Sequence, residues 1–259
     1  MPARRAFLLA AAALLLPRLA APAPQRSVAV AVAANMKPAF EELAARFQAT
    51  HPGVEVKATY GASGNFFAQI ANGAPFDLFL SADAEFPARV VEKGLADGKA
   101  FTYAYGKLVV WVPKSSKIDL DGKGLAALTD PSVQKIAIAS PEVAPYGRAA
   151  KAALEKAGLY QTLKDRIVTG QSVSQTAQFV QSGNAQAGFV PLSLARTPPL
   201  SEQGRAWPVP PSSYARIEQA GVVVKGAKEA ALARELAAFI AGAGARDVLE
   251  RYGYDLPAR

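Results

Sequence analysis

VEVKATYGASGNFFAQIANGAPFDLFLSAD, residues 54–83, holds the alternation on which the fold turns. From Val54 to Tyr60 apolar and polar side chains alternate, the pattern of a half-buried strand. Gly61-Ala62-Ser63-Gly64-Asn65 breaks that pattern, and Phe66, Phe67 and Ile70 then mark one face of a helix that stops at Asn72-Gly73. Asp77 to Leu80 follows as a short, buried type of strand. A strand, a small polar loop, a helix and a second strand are the parts of a parallel, helix-covered sheet.

The same grammar extends in both directions. Upstream, Ser27 to Ala33 reads as a strand, followed by Ala34-Asn35 and a helix with Phe40, Leu43, Ala44 and Phe47 at i, i+3, i+4 and i+7. Asn35 is expected to cap that helix, which ends before the breaker cluster His51-Pro52-Gly53. Downstream, a helix from Ala84 to Lys93 is closed by Gly94. In the middle of the chain Lys135 to Ala139 reads as a strand, Ser140 to Gly147 as a loop and Arg148 to Ala157 as a helix. Ile167 to Thr169, Gly170 to Ser172 and Val173 to Gln181 repeat that order, and Ala187 to Val190 adds one more strand. Leu108 to Val112 lies between the halves, and Gly221 to Lys225 is its counterpart before two closing helices. Two such runs are what a hinge between two α/β lobes would look like, although spacing alone also allows a single doubly wound sheet.

Composition narrows the class of protein. The chain has 259 residues, no cysteine and one histidine, so disulfides and thiolate metal sites are excluded and a transition-metal site is poorly supplied. Arg4 and Arg5 precede an unbroken apolar run, Ala6 to Leu16, then Pro17 and small residues, the layout of a secretory signal. Residues 1–26 are therefore expected to be a cleaved signal peptide, with the mature chain soluble and periplasmic; the arginine pair leaves the export route open. Residues 1–25 hold Arg4, Arg5 and Arg18 and no acid, so without them the formal charge of +8 drops to 8 − 3 = +5. The remaining Lys and Arg are scattered, which suits a solvated surface and not a nucleic-acid face.

Four loops sit where open α/β sheets place ligands, at strand ends that lead into helix N-termini: Ala34-Asn35, Gly61 to Asn65, Pro145-Tyr146-Gly147 and Gln171 to Val173. They carry small residues, amides and hydroxyls, with no charged side chain at their centres. Unpaired N–H groups and the helix dipole hold an anion there without a counter-ion. Each loop taken singly is an ordinary helix cap; the two pairs in two halves give the pattern its weight.

AVAANMKPAFEELAARF at 31–47, YGASGNFFAQIANGAPFDLFLSAD at 60–83, SPEVAPYGRAAKAAL at 140–154 and QSVSQTAQFVQSGNAQAGFV at 171–190 resemble the molybdate-binding periplasmic proteins of ABC-type uptake systems. The resemblance implies a type II periplasmic binding protein with two lobes, each a mostly parallel sheet flanked by helices, joined by two crossover strands. Lobe I is expected at residues 27–107 plus 222–259 and lobe II at 108–221. It also implies that Ala34, Asn35, Ser63, Tyr146 and Val173 surround the oxyanion, Ser63 through its hydroxyl and N–H and Val173 through its N–H. Molybdenum enters only as molybdate, and tungstate is expected to bind as well. No cofactor is expected, the partner is a membrane permease, and one chain suffices for the site. Many relatives carry a tyrosine just after the strand matching Ala187 to Val190, where this chain has Pro191; Tyr146 matches members that place it in the Pro-Tyr-Gly loop.

A donor-only pocket suits a fully ionised tetrahedral dianion, which only accepts hydrogen bonds, whereas a protonated phosphate also needs an acceptor. The alternatives are sulfate or a small organic acid, the latter calling for an arginine such as Arg148. An enzyme is disfavoured: Gly61-Ala62-Ser63-Gly64-Asn65 departs from the G-x-S-x-G elbow at its last position, and His51 sits in a turn. Gly122-Lys123-Gly124 follows no strand, and Asp77, Asp83 and Glu85 could form an acid pair but read more simply as a strand-end cap and a first-turn helix charge.

Overall fold

The apolar runs read as strands lie in the centres of two five-stranded sheets. The computed structural model describes residues 26–258; the signal peptide expected at 1–26 lies outside them except for Arg26. Strands β1 (Arg26–Ala33), β2 (Val54–Gly61), β3 (Leu78–Leu80) and β4 (Phe101–Gly106) are followed by β5 (Leu108–Pro113), β6 (Ile136–Ala139) and β7 (Ile167–Gly170). The last three are β8 (Ala187–Pro191), β9 (Gly204–Pro208) and β10 (Ile217–Val223). Helices α1 (Lys37–Thr50), α2 (Ser63–Ala71), α3 (Glu85–Glu92), α4 (Leu120–Lys123), α5 (Pro145–Lys156) and α6 (Tyr160–Leu163) alternate with them. They continue as α7 (Val173–Gln181), α8 (Leu192–Ala195), α9 (Leu200–Gln203), α10 (Ala230–Ala241) and α11 (Ala243–Arg251).

The sheet orders are β2-β1-β3-β10-β4 and β7-β6-β8-β5-β9, and they correspond strand for strand in order and direction. In each sheet four strands run one way, and one, β10 or β5, runs against its neighbours. Each reversed strand is the first to follow a passage from the other lobe. Leu108 to Val112 and the region around Gly221 are therefore equivalent, as the sequence suggested, but both are ordinary members of their sheets. The chain changes lobe at Lys107 and again within residues 209–216. The second boundary, expected at 221/222, falls earlier because Ile217 already pairs with Gly106 in the first sheet.

Period-two alternation decides which helices each strand face meets. Val28, Val30 and Val32 point to Phe40 and Leu43 of α1 and to Leu232 and Leu236 of α10, whereas Ala31 and Phe79 face Phe66 and Ile70 of α2 and Val90 of α3. In the second lobe Val110, Ile136 and Ile138 meet Ala150 and Leu154 of α5, and Val109, Trp111 and Ala137 meet Ala177 and Val180 of α7. Burying a side chain such as Phe40 or Leu154 contributes about 1.5–3 kcal/mol each, and these layers fix the register that brings the strand ends together. Arg26 is the first residue of β1, and its guanidinium donates to Glu229 at 2.8 Å.

Helix starts differ from expectation in two places. Helix α5 begins at Pro145, so the loop from Ser140 ends at Ala144; proline at the first helical position loses only an N–H that has no helical partner. Asn35 does not cap α1: it lies in a short 3-10 turn, Ala34–Met36, and its side chain makes no capping bond. Pro38 in the first turn of α1 already lacks one of the N–H groups that a cap would serve, and the Asn35 amide has other partners. His51 ends α1, its ring stacked on Phe47 with centroids 3.9 Å apart, remote from the strand ends that face the other lobe.

Candidate ligand-binding site

The carboxyl ends of β1, β2, β6 and β7 face each other across the cleft, and all four loops meet there. Ala34, Asn35 and Ser63 from the first lobe and Tyr146 and Val173 from the second line one small, tightly closed cavity. Ala33, Gly61, Ala62, Ala82, Ala144 and Pro145 complete its wall. The five residues expected in the site are thus brought together, and all are buried: Asn35, Ser63 and Tyr146 are each 1% exposed. Pro191 does not line the cavity, but Ser193 two residues later donates to the Asn35 carbonyl oxygen at 2.9 Å.

Among the described residues no Lys, Arg, Asp or Glu lines this cavity, so what it offers a ligand is hydrogen-bond donors. The N–H groups of Ala34, Asn35, Ser63 and Val173 precede the first hydrogen bond of their turns and have no partner among the described residues. Ser63 Oγ accepts from the Ala82 N–H at 3.0 Å, which leaves its hydroxyl hydrogen for a ligand. Tyr146 Oη accepts from Gln219 Nε2 at 2.9 Å and is left in the same state. Burial pushes the Tyr146 phenol well above its ordinary value, with the neighbouring Tyr254, Tyr103 and Tyr214 adding to the effect, so it keeps its proton and remains a donor.

Asn35 holds its place differently from a direct side-chain ligand. Both hydrogens of its amide are committed, to Gln219 Oε1 at 2.9 Å and to Tyr254 Oη at 2.9 Å, so its remaining donor is the backbone N–H. Gln219 and Tyr254 were not read from the sequence as site residues. The available signal was slight: Gln219 stands two residues before the apolar run that begins at Gly221, and a polar group buried in a strand must find partners.

The cleft is bridged by polar contacts around the cavity. Gly64 N–H donates to the Val143 carbonyl oxygen at 2.9 Å, and Arg148 pairs with Asp83 and lies 3.5 Å from Glu85. Asp83 does cap the start of α3, accepting from the Phe86 N–H at 3.1 Å, and also binds the opposite lobe. Burial holds its carboxyl above the ordinary value, opposed by the Phe86 and Ser81 hydrogen bonds and by Arg148. Asp77, just before β3, accepts from the Ala29 N–H at 2.7 Å and the Glu229 N–H at 3.1 Å. With its guanidinium on Asp83 and Glu85, Arg148 lines the outer groove and not the donor-lined cavity. Among the described residues no group of three His, Asp or Glu is placed to hold a metal ion, and no helix is long and apolar enough to cross a membrane.

Two lobes of one topology, tethered twice and closing on a small pocket of helix N-termini, define a two-lobed solute-binding protein. The bacterial extracellular solute-binding protein family matches residues 28–255, and the chain belongs to that family. The molybdate-binding protein ModA of Rhodobacter capsulatus is 41% identical over 91% of both chains. ModA of Azotobacter vinelandii is 39% identical over 92% of this chain and 93% of its own. The solved structure of the Azotobacter vinelandii periplasmic molybdate-binding protein aligns with a TM-score of 0.82 at 36% identity, covering 89% of this chain and all of that one.

Proposed function

We propose that this protein captures molybdate, and tungstate with it, between its lobes outside the cytoplasmic membrane and delivers it to the permease of an ABC transporter. The observation that carries the reading is the cavity itself, where five residues from four loops converge and supply N–H and O–H donors with no acidic side chain. The ligand-binding groups are the N–H of Ala34 and Asn35, the N–H and hydroxyl of Ser63, the Tyr146 hydroxyl and the Val173 N–H. The relatives named for molybdate supply the choice of anion. A hydrogen bond to a charged group contributes about 1.5–3 kcal/mol, so a handful of them holds a dianion tightly without a counter-ion. A small organic acid loses support, because Arg148 is taken up by Asp83 and Glu85. Binding is the whole activity: the protein acts as a monomer, without a cofactor and without catalysis, after export and removal of its signal.

Isothermal calorimetry of the mature protein against molybdate, tungstate, sulfate and phosphate tests this directly. One-to-one binding of molybdate and tungstate, far tighter than sulfate, is the expected result. Sulfate binding as tightly as molybdate would make the protein a general dianion receptor, and silence for all four would overturn the oxyanion reading.

A further inference from the structure

Gln219 lies outside the cavity wall, yet every polar atom of its side chain is engaged next to it. Its side chain is fully buried in β10. Its Oε1 accepts from Asn35 Nδ2 at 2.9 Å and lies 3.1 Å from Tyr103 Oη, whose hydrogen is shared with the Ser81 carbonyl oxygen at 2.7 Å. Its Nε2 donates to Tyr146 Oη at 2.9 Å.

Donor directions along this chain are dictated from its far end. Tyr254 Oη donates to the Asn35 carbonyl oxygen at 3.0 Å, so its oxygen can only accept from the Asn35 side chain, which must present Nδ2. The second hydrogen of Nδ2 then requires an acceptor on Gln219, which turns Oε1 toward Asn35 and Nε2 toward Tyr146. Tyr146 Oη is thereby made an acceptor from the protein, and its own hydrogen has no acceptor among the described residues. Gly106 makes the contact possible: a Cβ there would stand 2.0 Å from Tyr146 Oη and 2.6 Å from Gln219 Nε2.

We infer that Gln219 is a positioning residue that fixes the Tyr146 hydroxyl as a donor into the cavity, so that the site accepts acceptor-only dianions and disfavours protonated oxyanions. The inference rests on the oxyanion reading above. Without Gln219 the hydroxyl is able to rotate and present a lone pair, which a hydrogen phosphate would use and molybdate could not.

The test is a double-mutant cycle by calorimetry with molybdate, on the wild type, Gln219→Leu, Tyr146→Phe and the pair, with thermal melts of each unliganded protein. Gln219→Leu leaves Asn35 bonded to Tyr254 and Tyr103 bonded to Ser81. It is expected to weaken molybdate about three- to ten-fold, the worth of one oriented hydrogen bond, and to add no further loss in the Tyr146→Phe background. The ratio of molybdate to phosphate affinity should fall with it. Gly106→Ala crowds the same two groups from the other side and should likewise weaken molybdate, but its Cβ also overlaps the Tyr146 ring that Tyr146→Phe retains, so the cycle is read on Gln219→Leu alone. If Gln219 only braced β10, its loss would add to that of Tyr146→Phe; additive losses, or a Gln219→Leu affinity equal to the wild type, overturn the inference while wild-type binding stands. A wild type that binds no oxyanion removes the functional reading and this inference together.

Discussion

Val173→Pro deletes one hydrogen atom from the proposed site and very little else. Val173 is the first residue of α7, and the residue before it, Ser172, is extended at φ −153° and ψ 166°, the region that a residue preceding proline adopts. The bonds that start the helix bypass the Val173 nitrogen. Ser172 Oγ accepts from the Gln175 N–H at 3.3 Å, and the Ser172 carbonyl oxygen accepts from the Thr176 N–H at 3.0 Å. Proline is favoured at this position because its missing N–H has no helical partner. The lost group is then a donor to a charged ligand, worth about 1.5–3 kcal/mol, which converts to roughly 10- to 150-fold in affinity. Stability should move little, since a compatible proline gains about 0.4–1 kcal/mol from the unfolded chain, against a small change in the packing of a residue 5% exposed. Calorimetry with molybdate reads the affinity, and a thermal melt without ligand reads the fold. An intact melt with affinity within two-fold of wild type would refute the assignment of the Val173 N–H to the anion.

Three further substitutions probe other parts of the arrangement. Ser63→Ala removes a donor and also orphans the buried Ala82 N–H, so it should weaken molybdate and, by about 1–3 kcal/mol, the unliganded fold. An unchanged melting temperature would mean that the Ala82 N–H finds another acceptor. Gly64→Ala places a Cβ 2.9 Å from the Val143 Cα and from the Phe86 ring; that overlap sits on the lobe contact and should resist closure by about 1–3 kcal/mol. Small-angle scattering with saturating molybdate should then show a larger radius than the wild type shows, and equal radii would count against it. Asp83→Asn tests the buried carboxyl. Because burial raises its folded pKa above the ordinary 3.8 of an aspartate, the folded state holds that proton more tightly and the group favours folding at acid pH. This contribution is lost as pH rises from near 3.8 through the folded value, so the variant should gain stability relative to wild type across that window; the opposite slope in melting temperature against pH would contradict the assignment.

Local chemistry made most of the site legible, and distance hid the rest. Strand, small loop and helix N-terminus lie within a dozen residues of one another, so the loops that hold Ser63, Tyr146 and Val173 declare themselves through period, punctuation and composition, while the residues within them were picked out by the resemblance to the molybdate-binding proteins. Asn35 was legible as a site residue but not in its role, because its partners are Gln219, 184 positions away, and Tyr254, 219 positions away. Nothing in a linear reading pairs them. The first half of β10, Ile217-Glu218-Gln219, looks polar because its Gln points into a hydrogen-bonded network and not into an apolar core. Strands β4 and β9 escaped for a related reason: each is short, ends at Gly106 or Pro208, and takes its place only from pairing with a distant reversed strand.

That distance is also what couples the pocket to the hinge. One passage between lobes is the single residue Lys107 and the other is residues 209–216. The strands flanking them in the first lobe, β4 and β10, pair so that Ile217 faces Gly106 and Gln219 faces Ala104, with a register shift directly after Gln219. Gln219 and Gly106 therefore sit where the chain leaves and re-enters lobe I, and both touch the Tyr146 hydroxyl, which belongs to lobe II. Four polar contacts join the lobes beside these passages: Gln219 with Tyr146, Ser193 with Asn35, Gly64 with Val143 and Arg148 with Asp83. Each exchanges against water when the lobes part, so together they hold the closed state only weakly. Under the proposed function, the dianion's bonds to donors from both lobes shift that balance toward closure. Because the Gln219–Tyr146 bond joins lobe I to lobe II, the inferred orientation of the Tyr146 hydroxyl depends on how the two lobes meet, and under the proposed function pocket and hinge act together.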